Sequence, residues 1–112
     1  VRRRLARFHG VRSTFSAQFE CYGRTQHHGN PKRYMLIQDI RDANGKYVAQ
    51  HCWMPLRKDD TVSVQLERGD VIQFSAEVEL YTKGTHRKRR VDYGLCRPRS
   101  VEKVQVQEEM QA

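Results

Sequence analysis

From Ile72 onward, apolar and polar positions alternate without a break: Ile72, Phe74, Ala76, Val78 and Leu80 against Gln73, Ser75, Glu77 and Glu79. A period of two over this length predicts a strand with one buried face. Gly69-Asp70 supplies the turn that starts it, and Tyr81 with Lys83-Gly84 ends it. The same alternation predicts a first strand over residues 11–22, where Phe15, Ala17, Phe19 and Cys21 interleave with Ser16, Gln18, Glu20 and Tyr22. Met35, Leu36 and Ile37 mark a second strand over residues 33–40. A third, residues 46–53, sets Tyr47, Ala49, His51 and Trp53 against Val48, Gln50 and Cys52, and Pro55 stops it. A last strand begins near Val91 with Tyr93 and Leu95; Pro98 interrupts it, and Val101, Val104 and Val106 extend it as an edge.

The connections carry their own signals. Asp42-Ala43-Asn44-Gly45 is the clearest hairpin, because Asn-Gly tolerates the positive φ of a tight turn. Residues 23–32 are dense in turn formers, with Gly29-Asn30-Pro31 at the tip. Residues 54–62 are too short for a helix, and Val62, Val64 and Leu66 suggest a brief extra strand. Residues 1–10 read as a mobile basic arm on which Leu5 and Phe8 dock, and residues 108–112 as a frayed tail. The expected core unites Phe15, Phe19, Ile37, Val48, Ile72, Phe74, Val78 and Leu80.

A chain of 112 residues with 38% apolar content supports one compact core under a highly charged surface. Nothing approaches the roughly 20 apolar residues that span a membrane. No apolar run follows Arg2-Arg3-Arg4, so no leader peptide is expected. Three widely spaced cysteines, Cys21, Cys52 and Cys96, argue against a disulfide framework and for a reducing, cytoplasmic compartment.

The net charge is +8, and it is segregated. Residues 1–33 hold eight Lys/Arg against Glu20, and residues 82–99 hold seven against Asp92. Residues 34–81 and 100–112 are net acidic. Blocks of one sign are the footprint of a protein that meets a polyanion; a single basic loop would read as an ordinary solvated surface.

Five strands with a non-helical connector between the third and fourth predict an all-β, five-stranded Greek-key barrel. The run Gly69-Asp70-x-Ile72-x-Phe74-x-Ala76-x-Val78 resembles the fourth strand of many OB-fold proteins, and the Asn44-Gly45 hairpin resembles their strand 2–3 connection. The likeness covers residues 11–104, within an expected barrel of residues 11–107, as a pattern of lengths and turns. The shortened or absent helix between strands three and four departs from it and leaves a different small barrel open. The resemblance implies binding of single-stranded nucleic acid or oligosaccharide across strands two and three, flanked by loops 1–2 and 4–5. Here those loops are residues 23–32 and 82–90, the two places where charge gathers around the barrel.

Binding of this kind needs cations that track phosphates and flat side chains that stack on bases. The candidate cations are Arg24, Lys32, Arg33, Lys83, Arg87, Lys88, Arg89 and Arg90; the candidate platforms are Tyr34, Tyr47, Trp53 and Tyr81, with Tyr22 and Tyr93 behind them. Trp53 fits a platform or a core wall equally, while His51 reads as a core histidine. Catalytic and metal readings are poor. His27-His28 and His86 with Cys96 or Cys21 lack metal-ligand spacing, and Cys52 beside His51 is no dyad, because strand neighbours point to opposite faces. Nothing calls for a cofactor. The expectation is a non-catalytic binder of single-stranded nucleic acid, DNA ahead of RNA. The alternative is an interaction subunit whose basic loops meet an acidic protein partner; a third is readout of duplex or structured RNA by shape. Interleaved tyrosines favour the first, since an acidic partner requires charge but not stacking.

Overall fold

The two alternating segments of the sequence pair with each other: Phe15 stands opposite Phe74, and Ala17 opposite Ile72. The computed structural model describes residues 2–27, 30–84 and 87–104, with the side chains of Gln26, His27, Asn30 and Lys83 outside that description. It is all-β. A 3-10 helix, Arg3–Phe8, precedes β1 (Arg12–His27), β2 (Asn30–Asp42), β3 (Tyr47–Leu56), β4 (Val71–Lys83) and β5 (Arg90–Lys103). Every ladder is antiparallel, and the strands form one sheet in the order β3-β2-β1-β4-β5.

The sheet is not closed, which corrects the expected barrel: β3 and β5 are its edges, and no ladder joins them among the described residues. A side chain does that work at one level. Arg2 Nε donates to the His51 carbonyl of β3 at 3.1 Å, and Arg2 Nη1 to the Tyr93 carbonyl of β5 at 3.0 Å. Register shifts bend the sheet so that these edges approach. They lie in the β1–β2 ladder beside Gln18 and Cys21 and in the β4–β5 ladder around Ser75, where Arg97 and Ser100 take φ of 52° and 55°.

The core is continuous through all five strands: Phe15, Phe19, Met35, Ile37, Val48, Met54, Ile72, Phe74, Val78 and Leu95 are buried in one cluster. Leu80 is the exception among the expected core residues. It is 45% exposed, because β4 outruns the core before it turns. Leu5 and Phe8 of the N-terminal segment dock on the core as expected. Leu5 is fully buried, and Phe8 sets its ring edge-on to Phe15 at 5.3 Å, which anchors the 3-10 helix.

The 42–45 hairpin forms as expected. Asp42 Oδ1 accepts from the amides of Asn44 and Lys46, and Gly45 takes φ of 79°. The 67–70 turn also forms and is tied to β1, with Gly69 N–H donating to the Phe19 carbonyl at 2.8 Å. Residues 57–70 contain no helix, and Val62, Val64 and Leu66 pack on the core without forming the extra strand expected of them. Pro55 does not stop β3. It stands opposite Tyr34 inside an edge strand, where a missing donor is tolerated. β5 runs on through Pro98, but its ladder with β4 shifts register there, between Cys96 and Arg99, so the proline interrupts the pairing and not the strand. No helix among the described residues is long and apolar enough to cross a membrane.

Candidate nucleic-acid interface

Where the two edges approach, a groove of about 600 Å³ opens. β2 contributes Lys32 and Tyr34, β3 contributes His51, Trp53 and Pro55, and β4 and β5 contribute Glu79, Tyr81 and residues 94–96. Strand alternation explains the set. Met35, Ile37, Cys52 and Met54 are buried, so their neighbours Tyr34 and Trp53 stand on the other face.

Two rings in this groove pack closely against glycine. A Cβ on Gly23 would come within 2.8 Å of the Trp53 ring, and one on Gly94 within 2.9 Å of the Tyr81 ring. Each glycine thus lets an aromatic ring settle on bare backbone. Trp53 remains 48% exposed, and with Tyr34 it also lines a smaller depression of about 230 Å³ beside Arg24. This settles its position as surface and not core wall. Tyr81 is more committed. Its hydroxyl accepts from Arg2 Nη1 at 2.7 Å, and the Arg2 guanidinium lies 5.9 Å from its ring centre. Arg2 also binds Asp92, which is 2% exposed, through its backbone amide at 2.7 Å and through Nη1 at 3.3 Å.

His51 is exposed and lines the groove, which corrects its reading as core: β3 runs in the opposite phase, with Val48, Cys52, Met54 and Leu56 inward. Tyr47 is exposed but lies outside the groove, under the Arg4 guanidinium at 5.4 Å. Arg33 is exposed and alternates away from Lys32 and Tyr34, on the side of Tyr22. Tyr22 leans on Phe19 at 4.9 Å, and Tyr93 packs edge-on to His9 at 5.6 Å, so neither is a platform in the groove.

The expected loops are largely strand. β1 and β2 continue as a polar ribbon to the pair His27–Asn30, and β4 and β5 to the pair Lys83–Arg90. The first tip begins two residues beyond Lys32, and the second two residues beyond Tyr81, so each basic hairpin continues from a wall of the groove. Arg87, Lys88, Arg89 and Arg90 are exposed on the second tip and none lines the groove. The expected roles of Lys83 and of the histidines at 27, 28 and 86 fall on side chains outside the described residues.

Among the described residues, the ligand atoms of Glu77, Glu79 and Cys96 converge. Arg97 already stands between them. Its Nη1 donates to Glu77 Oε2 at 2.6 Å, to Glu79 Oε1 and to Cys96 Sγ at 3.4 Å. The Arg97 hydrogen bond holds the Glu79 carboxyl below its ordinary value, so the groove's acidic residue is ionised and neutralised in place. Burial, with the neighbouring Glu79, pushes the Cys96 thiol up to about 11, leaving it protonated and unreactive near neutrality.

Arg2 carries no signal of its role in the sequence, since nothing in its local pattern separates it from Arg3 and Arg4. Its position depends on the docking of Leu5 and Phe8, which the sequence does signal. No family model matches this chain, and no curated protein or solved structure matches it either.

Proposed function

We propose that this protein is a non-catalytic, OB-like binder of single-stranded nucleic acid, which lies in the groove between β3 and β5. The observation that carries the reading is the exposed Trp53 ring, laid on Gly23 and flanked by Tyr34 and Lys32. An exposed indole packed against backbone is a platform on which any base can stack, worth about 1–3 kcal/mol per base. The strand order β3-β2-β1-β4-β5, with its edges drawn together, supports the OB-like reading of the sheet. Lys32 on one wall and the 87–90 cations beyond Tyr81 supply charge on either side of the platform. The groove's carboxylate is neutralised by Arg97 and does not oppose a phosphate. An acidic protein partner would use the cations and leave the indole idle.

Trp53 is the single tryptophan, so its fluorescence reports directly on the site. Oligothymidylate should quench it, and the parallel binding curve should weaken steeply with salt. Quenching should be stronger for single strands than for the matching duplex. Absence of any oligonucleotide binding at low salt would overturn the proposal, and equal duplex binding would point to shape readout instead.

A further inference from the structure

A second cleft lies outside the groove, between the 3-10 helix and the β2–β3 hairpin. Its volume is about 540 Å³, and its charged lining is Arg3, Arg4, Arg7, Arg41 and Lys46. The backbone around it is fixed. Buried Leu5 and the Phe8–Phe15 contact hold the helix, and the Asp42–Gly45 turn fixes Lys46. In a 3-10 helix residues three apart eclipse, which stacks Arg4 and Arg7 on one side.

The ion pairs leave charge over. Arg7 is paired with Asp42, and Arg41 with Asp39 at 3.1 Å. Arg3, Arg4 and Lys46 form no ion pair among the described residues. Asp42 lies near Lys46 but already accepts from Arg7 and from two backbone amides. The Arg4 guanidinium lies over the Tyr47 ring, 5.4 Å from its centre, a contact that uses none of its N–H donors on a carboxylate. Like charges gathered in one concavity repel one another, and an entering polyanion relieves that repulsion.

The cleft is continuous with the groove. Arg2 lines the groove, and Arg2, Arg3 and Arg4 line a shallow depression of about 280 Å³ along residues 47–50 of β3. Arg3, Arg4 and Tyr47 then pass into the cleft. We infer that the cleft between the 3-10 helix and the β2–β3 hairpin is a second phosphate site, which takes the sugar-phosphate backbone of a strand leaving the groove past Arg2. Arginine forks match phosphate oxygens in pairs. The cleft's aromatic residue, Tyr47, already has the Arg4 guanidinium over its ring, and the remaining lining is mostly cationic, which makes this a backbone site in contrast to the Trp53 groove. The inference rests on the proposed single-strand binding for its ligand, but the anion site itself can be tested apart from it.

The test compares the parent with the triple variant Arg3→Ala, Arg4→Ala, Lys46→Ala on oligothymidylates of about 4 and about 16 nucleotides, the ends of the range for one OB-type domain. The short strand fills only the groove and should bind both proteins alike. The long strand should bind the variant about tenfold more weakly, with a log–log salt slope shallower by about 2, from roughly 0.7 for each phosphate no longer neutralised. Equal losses for both lengths, or none for either, overturn the inference. A second arm titrates inorganic tripolyphosphate and follows backbone amide shifts by NMR. Saturable shifts at residues 45–48 that vanish in the triple variant support an anion site. If oligonucleotides bind neither protein, the single-strand reading fails; cleft shifts with tripolyphosphate then identify a free polyphosphate as the ligand, and their absence removes the site as well.

Discussion

The Trp53 ring lies on the backbone of Gly23, so closely that a Cβ there would approach its Cζ3 to 2.8 Å. The ring is the outer, solvent-facing partner of the pair, so it is the part able to move. Gly23→Val is expected to displace the indole with little loss of stability, because the ring is not part of the core. Trp53 emission should shift, and single-strand affinity should fall toward that of Trp53→Ala, a loss of about 1–3 kcal/mol. A Gly23→Val protein with unchanged emission and unchanged affinity would show that the glycine has no part in placing the platform.

Phe74 and Leu80 lie on one strand in the same alternation, yet one is buried and the other is not. Phe74→Ala should cost about 3–5 kcal/mol, a large part of a small domain's stability. Leu80→Ala should change it by no more than about 0.5 kcal/mol, as expected for an exposed site. Urea denaturation of both variants checks the pair, and a large loss at Leu80 would place the end of β4 inside a core.

The contrast between these residues shows where the sequence is legible. Alternation identifies β4 and β1 because each has one buried face through its middle. It does not say where the core ends, since Leu80 continues the period beyond it. Residues 23–27 read as loop because both faces of that ribbon are polar and no core selects a phase. In β3, ending the strand at Pro55 removes Met54 and Leu56 from the pattern, and those two tip the phase toward Val48 and Cys52. That one choice puts His51 in the core and leaves Trp53 undecided. The groove arises from the approach of β3 to β5 and the clip at Arg2, both long-range features with no local signature.

Arg2 spans the seam, reaching His51, Tyr81, Asp92 and Tyr93. Arg2→Ala should destabilise by about 2 kcal/mol, the range for hydrogen bonds to a charged partner, since Asp92 keeps its backbone donors but loses the guanidinium. Arg2→Lys should recover only part, because one ammonium cannot reproduce a planar fork that serves both edges. Faster amide hydrogen exchange in β3 and β5, and not in β1, would accompany the loss. Full recovery by lysine would show that charge alone holds the seam.

Asp42 gives the hairpin a pH dependence. Its burial raises the carboxyl pKa, but the amides of Lys46 and Asn44 and the Arg7 guanidinium outweigh that, and the net shift is downward. A depressed folded pKa contributes stability that is fully present above the unfolded value of about 3.9 and is lost as pH falls through the folded one. The backbone amide of Glu67, ahead of Lys103, lowers Asp70 in the same direction. Stability should therefore drop steeply below about pH 4, and Asp42→Asn should be less stable at neutrality and lose less on acidification. Urea midpoints measured from neutral to acid pH decide the matter: parallel losses in parent and variant would mean that this carboxylate is not depressed.

Charge and stacking separate in the salt dependence of binding. The cations Arg87, Lys88, Arg89 and Arg90 are exposed on a hairpin that continues from the groove wall at Tyr81. Replacing all four with alanine should weaken single-strand binding and flatten its salt slope together, by roughly 0.7 for each phosphate left without its cation. Tyr34→Ala and Trp53→Ala remove platforms and no charge. Affinity should then fall by about 1–3 kcal/mol per base while the slope stays unchanged. Lys103, which is paired with Asp70 at 3.3 Å, serves as the charge control, and Lys103→Ala should alter neither quantity. If the quadruple variant binds as tightly as the parent with the same slope, the hairpin tip is a solvated surface. The strand's phosphates would then be met by Lys32 and by the cleft beside the 3-10 helix alone.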